Sequence, residues 1–243
     1  MEKIDPKKAG VLGYGHIGKA IAKLYPNPKI KDINKNDGLK GIDVLNVCIP
    51  WSKNFIEIVK KEITEDQPKL TIIHSTVAPL TTKTIGGMVV HSPVRGVHPH
   101  LYEGIKTFIK YIGADVLEAG IMAEEHFRDL KIKPKAFGPS VITELGKLLS
   151  TTYYGLCIAF HGEMNKMCMK YKIPFEQVAK HFNQTYNEGY AKLEMPNVIR
   201  PVLYSPPPEG IGGHCIIENA RVLDEIFDSK ALDLILNYAP KGE

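Results

Sequence analysis

The stretch KAGVLGYGHIGKAIAKLY, residues 8–25, decides the fold. Residues 9–12 form a short apolar run of strand length. Gly13-Tyr14-Gly15-His16-Ile17-Gly18 follows at once. Ile17, Ala20, Ile21 and Leu24 then recur at helical spacing until Pro26 and Pro28 stop the pattern. GxGxxG alone is a weak signal, but here it closes a strand and opens a helix. In that context each glycine has its own task. Gly13 permits the tight turn, Gly15 lets a pyrophosphate approach the backbone, and Gly18 allows helix and strand to pack closely. Phosphates would sit at the positive end of the helix.

Working outward, residues 29–34 (KIKDIN) read as a second strand. Asp32 falls near its end, about 20 residues past the first glycine, where a carboxylate bonds a ribose hydroxyl. That favours NAD over NADP, with Lys35 nearby to soften the preference. DVLNVCIP (43–50) and LTIIHSTV (70–77) are apolar runs suited to buried parallel strands. NFIEIVKKEI (54–63) between them has helical spacing. The alternation predicts an α/β fold, a parallel sheet with helical crossovers, over residues 1–138. The cofactor-binding set expected there is Gly13, Gly15, His16, Ile17, Gly18, Asp32, Pro50, Ser75 and Thr76. Trp51, just past a strand's carboxyl end, suits either ligand contact or core packing.

The pattern then changes. Residues 141–171 contain no proline, and Leu145, Leu148, Leu149, Thr152, Leu156, Ala159, Phe160 and Met167 recur at steps of three and four. This predicts one long helix, followed by shorter ones such as FEQVAKHF (175–182), in an all-helical domain over 139–243. A second stripe, Lys147, Thr151, Tyr154, Ile158, His161 and Asn165, is mostly polar. Such a stripe lines a site or faces solvent. YSPPPEG (204–210) is a stiff connection into a glycine-rich loop ending in Cys215.

Composition excludes several classes. The 243 residues carry 31 basic and 27 acidic side chains, with no block of like charge, so nucleic acid is not an expected partner. No apolar run approaches the ~18 residues of a membrane span. The four cysteines show no CxxC spacing and make no disulfide framework. A cytoplasmic chain with free thiols is expected, with Cys48, Cys157 and Cys168 packed as small hydrophobes. His91, His98, His100, His214 and Cys215 are ligand types without a tetrahedral arrangement, and no metal is expected.

Four segments share an order: STVAPLTT (75–82), SPVRG (92–96), ELGKLLSTTYYGLCIAFHGE (144–163) and GIGGHCI (210–216). Behind an N-terminal dinucleotide fingerprint, this order resembles the UDP-glucose/GDP-mannose dehydrogenase family. The GGHC form looks most like the branch acting on UDP-N-acetylhexosamines. The resemblance implies an NAD-dependent oxidation of a sugar primary alcohol through an aldehyde to an acid, with a cysteine capturing the aldehyde. By position Cys215 matches the family's nucleophile, Lys147 its lysine and Thr76 its STV threonine. Glu144, Thr151, Gly212, Gly213 and His214 match the surroundings of the substrate. The residue types suit the chemistry: a thiolate is a good nucleophile, and an ammonium stabilises negative charge developing on oxygen. The resemblance also implies a homodimer through the helical domain, and a small-molecule substrate, possibly a nucleotide sugar.

This chain departs from the family pattern where acids handle protons. Val94 stands for a glutamate, Thr151 for an asparagine, Asn219 for an aspartate, and Gly162-Glu163 for an Asn-Glu pair. The family's C-terminal nucleotide-sugar-binding domain has no counterpart in these residues, so a smaller substrate fits equally. One or two hydride transfers both remain open. Two other readings stand beside the first: a non-catalytic or regulatory dinucleotide-binding protein on the same scaffold, and a hydroxyacid or prephenate-type dehydrogenase that does not need Cys215. GVHPHL (96–101) echoes the His-Pro motif of the prephenate enzymes.

Overall fold

The computed structural model describes residues 3–240, the side chain of His214 excepted. The chain divides into two compact units, Met1–Lys147 and Leu148–Glu243.

The first unit is built on an eight-stranded sheet. β1 (Ala9–Leu12) is followed by α1 (His16–Ala22), β2 (Lys29–Asp32), β3 (Lys35–Asn36), β4 (Val44–Val47), α2 (Phe55–Asp66), β5 (Leu70–Ile73), α3 (Thr81–Ile85) and β6 (Val89–His91). α4 (Leu101–Thr107), β7 (Lys110–Ala114), α5 (Leu117–Asp129) and β8 (Pro134–Phe137) complete it. The strand order is β3-β2-β1-β4-β5-β6-β7-β8. β2, β1, β4, β5 and β6 run parallel, β7 turns antiparallel to β6, and β8 follows β7 in parallel.

Side chains alternate across the strands. Val11, Val44, Ile72 and Val90 join Ile21, Ile105, Met122 and Phe127 in one core. Leu12, Leu45, Ile73 and Val89 join Phe55, Val59 and Ile85 in the other. A sheet covered on both faces needs apolar side chains at every position, which is why β1, β4 and β5 are buried throughout. The parallel sheet with helical crossovers read from the sequence is borne out. The second strand read over 29–34 ends at Asp32, and β3, a two-residue strand antiparallel to β2, adds a hairpin beyond it.

The order of strands reverses between β1 and β4, so their carboxyl ends open a crevice at a switch point. The glycine turn sits there.

α6 (Val141–Tyr171) is one continuous helix of 31 residues. Its first turns belong to the sheet unit: the Glu144 carboxylate accepts from the Leu80 amide at 2.7 Å and from the Thr82 amide and hydroxyl at 2.8 and 2.7 Å. These bonds secure the amides that open α3. α6 ends in a Schellman arrangement. Lys172 adopts φ 56, its amide reaches Met169 O, the Ile173 amide reaches Cys168 O, and Pro174 forbids continuation.

In the second unit α6 is followed by a π-helical turn over Glu176–His181, α7 (Phe182–Lys192), a short 3₁₀ turn, α8 (His214–Asp224) and α9 (Lys230–Leu236). The segment read as a short α-helix over 175–182 is thus a π-turn feeding α7. The buried side of α6 here is mostly small residues, Thr152, Gly155, Ala159 and Gly162, joined by His161 and Cys168. A Cβ on Gly155 would lie 2.4 Å from Ile216 of α8, and one on Gly162 would lie 2.5 Å from the Tyr238 ring. The apolar face expected for this helix therefore splits. Leu148 and Ala159 are buried, but Leu149, Phe160 and Met167 are about half exposed, at 53%, 52% and 51%. α7 likewise has no buried residue.

Candidate functional site

The glycine turn meets each steric requirement separately. Gly13 has φ 91, and a Cβ there would lie 2.8 Å from the Cys48 carbonyl carbon of the neighbouring strand end. A Cβ on Gly18 would lie 1.9 Å from Gly13 O, so any side chain would force α1 off the turn. Gly15 is different: a Cβ there meets nothing within 4 Å. The protein itself does not need a glycine at 15. A bare backbone there leaves room for a group to approach it closely.

His16 and Ile17 open α1, whose N-cap Gly15 supplies no side-chain cap, so the helix start keeps its amides for another acceptor. The Asp32 carboxylate closes the turn from β2 by accepting from the Tyr14 amide. Lys35, opposite Asp32 across the β2–β3 hairpin, lies 5.8 Å from the Tyr14 ring centroid. Across the switch point, Ser75 donates to Ile49 O at 2.6 Å and so draws the start of the STV turn to Pro50, an exposed residue. Thr76 follows, half-buried. Trp51 tilts on Phe55 with ring centroids 5.4 Å apart. His98 lies edge-on to His16 at 4.8 Å, which puts the His-Pro segment beside the same turn.

The remaining expected residues occupy three places. Glu144 is fully buried and spends both oxygens on Leu80 and Thr82. Lys147 ends the sheet unit and is half-buried, as is Thr151 one turn further along α6. Cys215 belongs to the helical unit and is exposed in the first turn of α8. The loop before it is sterically specified. Gly210 has φ 113 and a Cβ there would lie 2.7 Å from Tyr238 O, while the buried Ile211 donates its amide to that same oxygen at 2.8 Å. Gly212 and Gly213 have open space around them, and Gly213 caps α8 at φ 85. The loop is pinned at one end and bare beside the thiol. The side chain of His214 lies outside the described residues.

The departures from the family pattern have local explanations. Val94 is buried in the sheet core, leaving no acid in that turn. Asn219 is buried, and its amide nitrogen has no partner among the described residues. Glu163 accepts from the Tyr238 hydroxyl and from Lys166, both at 2.7 Å.

A polar cluster that the sequence reading missed lies under the strand ends. Asn46, His74, His91 and Lys110 are buried, with Tyr25 and His126 beside them. Burial lowers His91 to about 3 and His126 to about 4, and lowers Lys110 to about 7. It also drives His74 well below the ordinary histidine value and the Cys48 thiol upward. Polar letters inside apolar runs, Asn46 in DVLNVCIP and His74 in LTIIHSTV, were the available signal.

Fold and turn together define a Rossmann-type α/β unit with a glycine fingerprint turn, followed by a helical unit. Among proteins of that class, the chain is 24% identical over 231 residues to UDP-N-acetyl-D-mannosamine dehydrogenase of Pyrococcus horikoshii, a match covering 85% of this chain. It spans about half, 52%, of that relative's length. The solved structure of the Pyrococcus horikoshii enzyme superposes with a TM-score of 0.74 at 18% identity, over 95% of this chain and 67% of that one. A UDP-glucose dehydrogenase from Pyrobaculum islandicum gives 0.71 at 15% identity, over 95% and 68%. The 3-hydroxyisobutyrate dehydrogenase of Mycobacterium tuberculosis gives 0.61 at 12% identity, over 94% of this chain and 91% of that one. No protein-family model matches. The resemblance to UDP-sugar dehydrogenases carried by the motifs is borne out in sequence and in fold.

Proposed function

We propose that this chain is an NAD-dependent dehydrogenase of the UDP-sugar dehydrogenase kind, oxidising a primary alcohol with Lys147 and Cys215 in the chemistry. The observation that carries the reading is the glycine turn. Two of its glycines are required by the protein's own packing, and the third stands in open space that leaves its backbone free for a bound group. Gly13 to Gly18 and the first amides of α1 would hold the pyrophosphate and Asp32 a ribose hydroxyl, with Pro50, Ser75 and Thr76 on the nicotinamide side. When bound, the nicotinamide supplies the hydride acceptor. The Lys147 ammonium would stabilise charge on the substrate oxygen as the C–H bond breaks. The Cys215 thiolate would add to the aldehyde carbon. Where a second oxidation follows, loss of hydride from that adduct to a second NAD would leave a thioester, and water would then break the C–S bond to release the acid and the thiolate. With Val94 in the core and Asn219 an amide, the acid–base help for these steps has to come from other residues, such as Glu218 or His98.

A second reading is favoured by the near full-length superposition on 3-hydroxyisobutyrate dehydrogenase. It makes the chain a small hydroxyacid dehydrogenase in which Cys215 does no chemistry.

The experiment is NADH formation with panels of UDP-sugars and of small hydroxy acids, for wild type, Cys215→Ser and Lys147→Ala. Turnover of a UDP-sugar, falling by about 10²-fold or more in both variants, supports the first reading. Turnover of a hydroxy acid at full rate in Cys215→Ser supports the second. NAD binding without turnover of any alcohol supports the regulatory alternative. Among the described residues no helix is long and apolar enough to cross a membrane. We place the chain in the cytoplasm with its thiols free. We also assign to it a homodimer through the helical unit, supported by the exposed Leu149, Tyr153, Phe160 and Met167 of α6.

A further inference from the structure

The buried cluster under the strand ends can be read proton by proton. The Asn46 side-chain nitrogen donates to Gly10 O at 3.1 Å, which turns its oxygen toward His74 and Tyr25. His74 Nε2, 2.9 Å from that oxygen, must therefore carry the ring proton. A neutral His74 then leaves Nδ1 as an acceptor that also lies 3.1 Å from Ser92 O, and Lys110 Nζ lies 3.2 Å from that nitrogen, so a proton on Nζ is needed between the two. The same Nζ lies 2.6 Å from Ser92 O and 3.0 Å from Pro93 O. Three acceptors converge on one nitrogen, and none is a carboxylate.

An ammonium has three N–H bonds and satisfies all three acceptors. A neutral amine has two, and turns its own lone pair on the third. The hydrogen-bond pattern calls for the charged form, while full burial opposes it.

We propose that Lys110 is a positioning residue, a proton-dependent latch whose ammonium ties the turn at Ser92 and Pro93 to His74. Its coupling to coenzyme rests on the reading above, which places Ser75 and Thr76, the residues directly after His74, on the nicotinamide side. The latch spans two strand ends: the Ser92 amide donates to Ile73 O at 2.8 Å and the Val94 amide to His74 O at 3.3 Å. Releasing either carbonyl lets the 92–94 turn move relative to the 74–76 turn.

Cys48 after β4, with its thiol held protonated, and Tyr25 after α1 contribute no cation. His74, His91 and His126 are neutral in this environment. Lys147 on α6 disfavours a second cation, and the Phe127 ring, 5.7 Å from Nζ, favours one. Burial brings the balance to a midpoint of about 7.

The test uses the full chain labelled with ¹⁵N in the backbone and at lysine Nζ. We expect one lysine to titrate near pH 7, and the Ser92 and Val94 amide resonances to move with the same midpoint. NAD affinity should fall about fivefold or more from below that midpoint to above it, and NAD should raise the midpoint in return. In Lys110→Met the pH dependence of NAD affinity should vanish, a change that a purely structural lysine would not produce. Should Lys110 titrate at the ordinary lysine value, or should the two amides ignore its titration, the latch is overturned, whether or not Lys110→Met folds. Equal pH dependence of NAD affinity in wild type and Lys110→Met overturns the coupling. Amides that follow the lysine in a protein that binds no NAD at any pH uphold the latch and remove the coenzyme reading instead.

Discussion

At the scale of single residues, the three glycines of the turn separate folding from binding. Gly18→Ala should put a methyl group 1.9 Å from Gly13 O, a backbone atom that cannot step aside. We expect it to destabilise the sheet unit by about 1–3 kcal/mol or more, read as a lowered urea midpoint. Gly15→Ala meets open space and should leave the midpoint within about 0.5 kcal/mol of wild type. Under the coenzyme reading it should nonetheless weaken NAD binding by about tenfold or more in a direct titration, because the pyrophosphate needs that backbone bare. Unchanged NAD affinity in Gly15→Ala would remove the turn from the site. Glu144 illustrates the limit of reading residues singly. Its place in the Glu-x-x-Lys spacing suggested substrate contact, and its carboxylate is occupied by α3. Glu144→Gln should cost about 1–3 kcal/mol, since one of three amide and hydroxyl donors then faces an NH₂.

At the scale of elements, β6 and α5 each bury a neutral histidine, His91 and His126, and a third, His74, is buried directly after β5. Their folded values lie below the unfolded value of about 6.5, so between the two the unfolded chain binds more protons and stability falls as pH falls. For His91, lowered to about 3, acidification from pH 7 to 4.5 should cost about 2–3 kcal/mol. His126, lowered to about 4, should add a similar amount. Urea unfolding at the two pH values, with proton uptake followed in unbuffered solution, checks this; a stability independent of pH over that range would contradict the neutral assignments. α6 carries the other lesson at this scale. Its bounds were legible from the absence of proline and the helical spacing, and they coincide with the helix observed. Its faces were not legible, because Gly155 and Gly162 let Ile216 and Tyr238 approach so closely that the small residues became the packed side. Periodicity reports that a side is apolar, and the partner decides which apolar side is covered.

At the scale of the whole molecule, the exposed stripe on α6 leads to an assembly prediction. Leu149→Glu combined with Phe160→Glu should convert the proposed dimer to monomer in sedimentation equilibrium, with far-ultraviolet circular dichroism retained. A wild-type chain that sediments as a monomer would remove the dimer. The sequence by itself determined the local grammar: strand, glycine turn and helix, then apolar runs at strand length, then an unbroken helix and a glycine loop before a thiol. Those features are local because backbone freedom and side-chain spacing act over a few residues. Only the tertiary structure decided which glycines serve packing and which stand in open space, since that depends on what lies across the switch point. It alone gathered His74 and the carbonyls of Ser92 and Pro93, all distant from residue 110 along the chain, around the Lys110 nitrogen. A lysine in a strand reads as a surface residue until the strands pair and the helices close over it, because burial and hydrogen-bond count are properties of neighbours in space.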